Sequence, residues 1–433
     1  MSSPAESVDN RLQIVRSLAV QVRWRLVAPC LLFMLMSSLD RANVSFAAVR
    51  MNAELGFTPS QYGLGAGILF VGFLAGQYPS VLLFMRIGMR RWLCAVALLW
   101  GISAGAMAFI GSPLQLYVLR ILLGVAEGGL APGIVLYLSQ FATERERATT
   151  FALPMLAIPF SVVIGGPLSG WLLEMPMVGS LRGWRWMFIA EAVPTIVLGL
   201  LALRYFPDRP RDARWLTADQ QRWLHEHAAH RVDPDRSHDW SVLRLPIVWL
   251  AALLWFCLLS GAYGIIFWLP QILGTLTTLD AVMLGVVSAL PWLAAAAGMY
   301  LNATHSDRTG ERFWHVALPA ALSGVAIYAA SSVGAGMAGI ALLMIGGLGL
   351  GAAQGAFWAL PTRLLSKREL SLGVVTINIA GSAGGLVMPH AMGWARESSG
   401  SFALPTLLVT GVLLAAALLV PAISKLRQTP AAR

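Results

Sequence analysis

Twelve apolar runs of about twenty residues, separated by short polar segments, occupy most of the chain. They fall at about 26–48, 62–84, 91–110, 114–138, 148–171 and 184–204, then at about 245–270, 281–301, 313–331, 337–361, 371–394 and 402–424. An α-helix rises 1.5 Å per residue, so runs of this length match the roughly 30 Å hydrocarbon core of a bilayer. A soluble core would show shorter apolar stretches at helix or strand period. Only 12% of the residues are charged, whereas a soluble chain carries about 25%. Charge this scarce cannot cover a water-facing surface. The expected fold is an all-α membrane protein with twelve transmembrane helices, and nothing so far points to an enzyme.

A net charge of +10 invites a nucleic-acid reading, which the distribution of the charge removes. Of 31 Lys and Arg, Arg41 and Arg120 lie inside apolar runs, and Arg50, Arg182, Arg185 and Arg396 lie in loops of one side. The remainder fall on the other side. Basic residues are retained in cytoplasmic loops during insertion, so this asymmetry reports topology. An even number of spans puts both termini on one side. Arg11, Arg16, Arg23 and Arg25 make that side the cytoplasm. The polar start does not resemble a cleavable signal peptide, and the first run serves as the insertion signal. Cys30, Cys94 and Cys257 are odd in number and far apart, so they read as small core hydrophobes rather than a disulfide framework. The scarcity of lysine beside abundant Arg, Ala, Leu and Gly suits a GC-rich bacterial gene, hence a bacterial inner membrane.

The runs divide into two sets of six. The expected boundaries are a cytoplasmic segment 1–25, a first bundle 26–204, a cytoplasmic linker 205–243, a second bundle 244–424 and a tail 425–433. The two sets read as diverged copies about 222 residues apart. Leu82–Arg91 matches Thr304–Phe313, while Gly165, Gly166 and Trp171 parallel Gly384, Gly385 and Trp394. Paired halves of this kind are a transporter signature, with the pseudo-symmetric halves rocking about a site near the midplane.

Few ionisable residues interrupt the runs: Asp40, Arg41, Arg120, Glu127 and Glu191. Each costs about 2.5–3.5 kcal/mol to insert, so such groups face a cavity or one another and mark function by default. Asp40 and Arg41 are adjacent and point about 100° apart, so Asp40 shares a face with Asn43. Arg120 and Glu127 lie on one face two turns apart. Arg41 offers a permanently charged fork of donors suited to a carboxylate, which makes it the expected anion ligand. Asp40 and Glu127 can titrate. Arg41 or Arg120 swinging away from them, with Asn43 beside, would couple a proton to a conformational cycle. The alternative is a static ion network joining the first and fourth spans. Glu191 reads as a structural partner, and Gln77 as either a substrate contact or a helix–helix hydrogen bond.

The second copy lacks these charges: Asp40, Arg41 and Glu127 align with Ala262, Tyr263 and Gly349. It offers Tyr263, Phe267, Trp268, Trp358 and Asn378 as an aromatic and hydrogen-bonding wall. Trp268, beside Pro270, suits either a pocket wall or the membrane interface. His390 reads as a neutral polar pore residue or an added protonation site.

An ordered set of stretches resembles the major facilitator superfamily and, within it, the anion:cation symporter family. They are Leu39–Asn43, Pro79–Ser80 with Arg86–Arg91, Arg120–Glu127, Gly166–Trp171, Phe267–Pro270 and Ser306–Gly310. The resemblance spans about Arg25 to Val420. It implies import of a small organic anion (a sugar acid, a hydroxy-dicarboxylate or an aromatic acid) with protons. It assigns proton coupling to Asp40 and Glu127, and substrate contact to Arg41. Trp358 and Asn378 match pocket positions of the family, and a monomer in the lipid bilayer with no cofactor and no metal is implied.

The resemblance also marks a cytoplasmic gate at Arg86, Gly88 and Arg90, repeated at Asp307, Arg308 and Gly310. The acid that usually precedes the first arginine is absent, and Met85 stands there. The His225–His230 run lacks the spacing that sets two histidines on one helix face, and reads as a solvated linker. An antiporter or facilitator of the same fold, and a membrane sensor that binds without transporting, are the competing readings.

Overall fold

A computed structural model describes residues 17–142, 150, 153–154, 157–176, 181–227, 240–276, 279–334, 336–366 and 369–428. The first sixteen residues, the middle of the linker with His230, and residues 429–433 lie outside the described residues. The first half comprises α1 (Ala28–Leu55), α2 (Pro59–Gly67), α3 (Leu69–Ala106), α4 (Pro113–Gly128), α5 (Leu130–Ser139), α6 (Ala157–Leu173) and α7 (Gly183–Tyr205). A short α8 (Ala218–His227) follows. The second half contains α9 (Pro246–Leu276), α10 (Ala281–Thr309), α11 (Trp314–Val333), α12 (Met337–Phe357), α13 (Ala359–Leu364), α14 (Leu370–Ser399) and α15 (Ala403–Gln428).

Ten helical segments among the described residues are long and apolar enough to cross a bilayer, with mean hydropathy from 1.5 to 2.4. One of them, Pro59–Phe109, holds two passes, because Gly88 takes φ 79° and turns the chain back. Only glycine adopts that backbone readily. The shorter apolar helix Phe160–Leu173 supplies the remaining pass of the twelve. Burial is inverted relative to a soluble protein. Arg120 is 0% exposed and Asp40 and Glu127 1%, whereas Leu418 is 76% and Leu114 69% exposed. Leucine outside and ions inside is the arrangement a hydrocarbon solvent selects.

Helices in lipid gain little from burying apolar faces on each other, so close packing between small residues matters more. The two halves use one device at equivalent places. A Cβ on Gly76 would sit 2.2 Å from the Val125 carbonyl oxygen, and one on Gly298 would sit 2.2 Å from that of Leu348. These glycines are 222 residues apart, the repeat offset read from the sequence. Each lets one helix ride directly on its neighbour's backbone.

The halves meet at the end of the molecule that carries Gly56 and Gly400, here the Gly56 end; Gly88 and Gly310 mark the other. At the Gly56 end α6 crosses α10 through Gly166 and Gly285, whose added Cβ atoms would reach the opposing carbonyl oxygens at 2.5 and 2.1 Å. Gly170 lies equally tight on Ala281, and on α2 and α14 Gly63 faces Pro389 and Gly67 faces Leu386. Four hydrogen bonds reinforce this seam: Tyr62 to the Phe267 carbonyl at 2.7 Å, Asn52 to Gln271 at 3.3 Å, Ser60 N–H to Glu397 at 3.1 Å, and Ala281 N–H to Glu174 at 2.9 Å. Gly285→Val should wedge the seam apart, costing about 1–3 kcal/mol as overpacked cores do. A lower Tm in detergent, with faster labelling of a cysteine placed at Ser60, is the expected result; an unchanged Tm and labelling rate would contradict this packing.

Candidate functional site

Among the described residues, Arg41 meets Glu127 on one face of α1 and Asp40 meets the Asn43–Glu191 group on another, about 100° away as for neighbouring helix positions. On one face Arg41 donates to Glu127 Oε2 of α4 from Nη2 at 2.9 Å and from Nε at 3.3 Å. Its Nη2 also reaches Ser37 one turn away, at 3.3 Å. The guanidinium lies 5.5 Å from the ring centre of Phe73 on α3, and the Tyr263 phenol of α9 approaches it from the second half. The Arg41 side chain is 18% exposed, while that of Glu127 is 0% exposed. Glu127 Oε1 is buried and has no hydrogen-bond partner. The pair therefore has one solvated edge, at Arg41, and one open acceptor, on Glu127.

On the other face Asp40 Oδ2 accepts from the Trp100 indole at 2.5 Å, and Asp40 Oδ1 from the Asn43 amide at 3.3 Å. The same Asn43 nitrogen donates to Glu191 Oε2 of α7 at 2.8 Å, and Ser169 of α6 meets Glu191 Oε1 at 3.0 Å. Asp40 thus pairs with neither arginine. Asn43, expected from its i, i+3 spacing to share a face with Asp40, is brought against it. Glu191 does have a polar partner, but that partner is part of the Asp40 cluster.

Arg120, the other arginine expected to swing away from the acids, donates here to backbone carbonyls. It is fully buried and donates to the Gly65 and Ala66 carbonyls at 3.3 and 3.0 Å, beside the interruption between α2 and α3 at Ile68. It also lies 5.6 Å from the ring centre of Phe267. Carbonyls next to a helix break have lost ladder partners and accept from a side chain instead. This arginine ties α4 to the end of α2.

The second half supplies the rings. Tyr263 stacks on Phe267 and packs edge-on to Phe70 of α3, with centroids 6.1 and 4.5 Å apart. Trp358, 36% exposed at the junction of α12 and α13, packs edge-on against Trp255 of α9 at 5.0 Å. Trp255 also fills the space that a side chain on Gly381 would need, three residues along α14 from the half-buried Asn378. Gln77 is half-buried one turn beyond Phe73. Trp268 is 1% exposed and donates to the Pro389 carbonyl at 3.0 Å, so it belongs to the seam and not to the membrane interface. His390 is exposed on the same face of α14 as Val387 and Trp394.

At the Gly310 end the acid missing at Met85 comes from a distant segment. Asp208, just after α7, accepts from the Arg90 N–H at 3.1 Å and pairs with Arg90 Nε at 3.3 Å. Its carboxylate sits where a Cβ on Gly88 would be, 2.7 Å away. Arg86 is exposed. In the second copy Asp307 pairs with Arg312 at 2.6 Å, Arg308 lies in the last turn of α10, and Gly310 caps that helix at φ 70°. Glu311 then caps α11, accepting from the Trp314 N–H at 2.9 Å and the His315 ring at 2.7 Å.

The sequence pattern of the Major Facilitator Superfamily matches residues 30–389. The chain is therefore a multi-pass membrane transporter rather than an enzyme, and it belongs to that superfamily. It is 40% identical, over 92% of its own length and 89% of the relative's, to an Agrobacterium vitis protein named "Putative tartrate transporter". It is 31% identical, over 88% and 89%, to a quinolone resistance transporter of Acinetobacter baumannii. In fold it superposes on a bacterial homologue of the human lysosomal transporter Spinster with a TM-score of 0.77, at 16% identity over 95% of this chain and 99% of that one.

Glu311 generates a pH prediction. Partial burial pushes its carboxyl up, but hydrogen bonds from Trp314, His315 and Phe313 outweigh this and hold it below the usual value of 4.5. A depressed carboxyl stabilises the fold above its unfolded pKa, and the contribution is lost as pH falls through the folded one. The wild type should lose stability below about pH 4.5 more steeply than Glu311→Gln; parallel Tm–pH curves would show that this cap contributes nothing.

Proposed function

We propose that the protein imports a small organic anion together with protons by alternating access, in a bacterial inner membrane with both termini cytoplasmic. The observation that carries the proposal is the Arg41–Glu127 ion pair, set in mid-membrane where a tyrosine of the opposite half also reaches the guanidinium. Two ions taken out of water are tolerated only while each has its partner; removing one partner costs about 3–5 kcal/mol. A substrate carboxylate that takes the Arg41 fork therefore displaces Glu127, and Glu127 must then acquire a proton. Its unpartnered Oε1 is the place for that proton. Binding of the anion and protonation of Glu127 favour each other, which is the coupling a symporter needs.

The positive-inside bias makes the Gly56 end periplasmic. The seam is closed at that end, which supports reading this conformation as the cytoplasm-facing state. Trp358 and Asn378 from the second half, with Gln77 and Phe73 from the first, would shape the pocket around Arg41 and Tyr263. Arg86, Gly88 and Arg90, held by Asp208, and Asp307, Arg308 and Gly310 would form the cytoplasmic gate. Among organic anions, tartrate is the first to test, because a 40% identical relative carries that name. The quinolone resistance relative favours a second reading, proton-driven export on the same fold.

Transport in proteoliposomes separates the two. A proton gradient, acid outside, should drive tartrate or a related hydroxy acid inward, and collapsing the gradient should stop it; accumulation only when the lumen is acid would support export. Glu127→Gln should retain anion exchange but lose gradient-driven accumulation by at least about tenfold, roughly 1.4 kcal/mol of coupling. Arg41→Lys, which keeps the charge and loses the planar fork, should reduce both activities by about tenfold or more. Wild-type accumulation in Glu127→Gln would remove the coupling role.

A further inference from the structure

The second ionic cluster has no part in the exchange between Arg41 and Glu127, yet its composition is difficult to explain as scaffolding. Glu191 is 4% exposed and Asp40 1% exposed, and one amide nitrogen, Nδ2 of Asn43, bridges the two carboxyls. The other groups in contact are neutral: the Trp100 indole on Asp40 and the Ser169 hydroxyl on Glu191. The charged groups that act on Asp40 from neighbouring helices are Glu191, Glu127 and Arg120, and Arg120 is already engaged by the carbonyls of Gly65 and Ala66. Two acids sharing one neutral donor in a low-dielectric interior cannot both be ionised at tolerable cost. A second observation points the same way. Asn43 Oδ1 is buried beside both acids and has no hydrogen-bond partner. A half-turn of that amide would present the oxygen to a carboxyl O–H, so Asn43 can serve either protonation state of its neighbours.

We propose that Glu191 is a proton-binding site of this transporter, sharing one proton with Asp40 through Asn43. The proton resides on a carboxyl oxygen of either acid, and the amide orients to match. The position links it to the seam, since Ser169 lies on α6 between Gly166 and Gly170, the two glycines that rest on α10. Ionisation of Glu191 draws the Ser169 hydroxyl toward it as a donor; protonation releases that demand. Closure at the Gly56 end is thereby made sensitive to the proton. The transport consequence rests on the symport reading above, whereas occupancy of the site by a proton does not.

Two measurements keep the two apart. Infrared spectra of the purified protein at neutral pH should contain a protonated-carboxyl C=O band that shifts in D2O, is lost in Glu191→Gln, changes frequency in Asn43→Ala and survives in Glu127→Gln. The same band in wild type and Glu191→Gln would overturn the proposal. If Glu191→Gln does not fold, Glu191→Asp serves: a moved band supports the assignment and an unmoved one overturns it. In proteoliposomes, paired proton and tartrate fluxes should show a ratio one proton lower in Glu191→Gln than in wild type. An unchanged ratio there would overturn its part in coupling. A wild type that moves no protons would instead overturn the symport reading and leave the infrared result standing.

Discussion

The Arg41–Glu127 ion pair is the constraint from which the rest of the molecule follows. Glu127 is fully buried and Arg41 keeps only a small exposed edge, so an event that separates them leaves the carboxylate without a partner unless it supplies a counter-ion or a proton. Under the proposed symport, that condition ties anion to proton without a moving lever. It also explains why the pair lies where the halves converge, with Phe73 beneath and Tyr263 arriving from the other half. A rocking motion that carries Tyr263 away changes the surroundings of the guanidinium and not of a remote relay.

The division of labour between the halves has a similar cause. The ions lie in the first half on α1, α4 and α7, joined by hydrogen bonds within one bundle. The second half contributes rings, among them Tyr263, Phe267, Trp255 and Trp358. Backbone-to-backbone contact at Gly166–Gly285 and Gly63–Pro389 closes the Gly56 end. Such contact is firm when made and leaves no unsatisfied polar side chain when broken.

Much of this was legible in the sequence, for identifiable reasons. Run length and the scarcity of charge define a membrane protein directly, and the repeat offset of Gly76 and Gly298 was visible as periodicity. The contact of Asp40 with Asn43 followed from helix geometry, since three residues fix a face. What the sequence withheld were partnerships over long separations. Nothing local indicates that Trp100 would take Asp40, that Glu191 would join Asn43, or that Asp208 would supply the acid absent at Met85. Arg120 misled for a related reason. Its spacing from Glu127 is correct for one face, but the broken ladder at Ile68, invisible in residue pattern, offers it nearer acceptors. Trp268 left the membrane-interface setting because the rotation of a helix about its axis is set by its neighbours.

The most direct test of the central claim is a calorimetric one. Binding of tartrate, or of whichever organic anion proves to be the ligand, to the purified transporter would be measured in buffers of differing ionisation enthalpy. If the anion takes Arg41 from Glu127, the observed heat will vary with buffer in the sense of proton uptake, and Glu127→Gln will abolish that variation while still binding. Heats that are independent of buffer in the wild type would contradict the account.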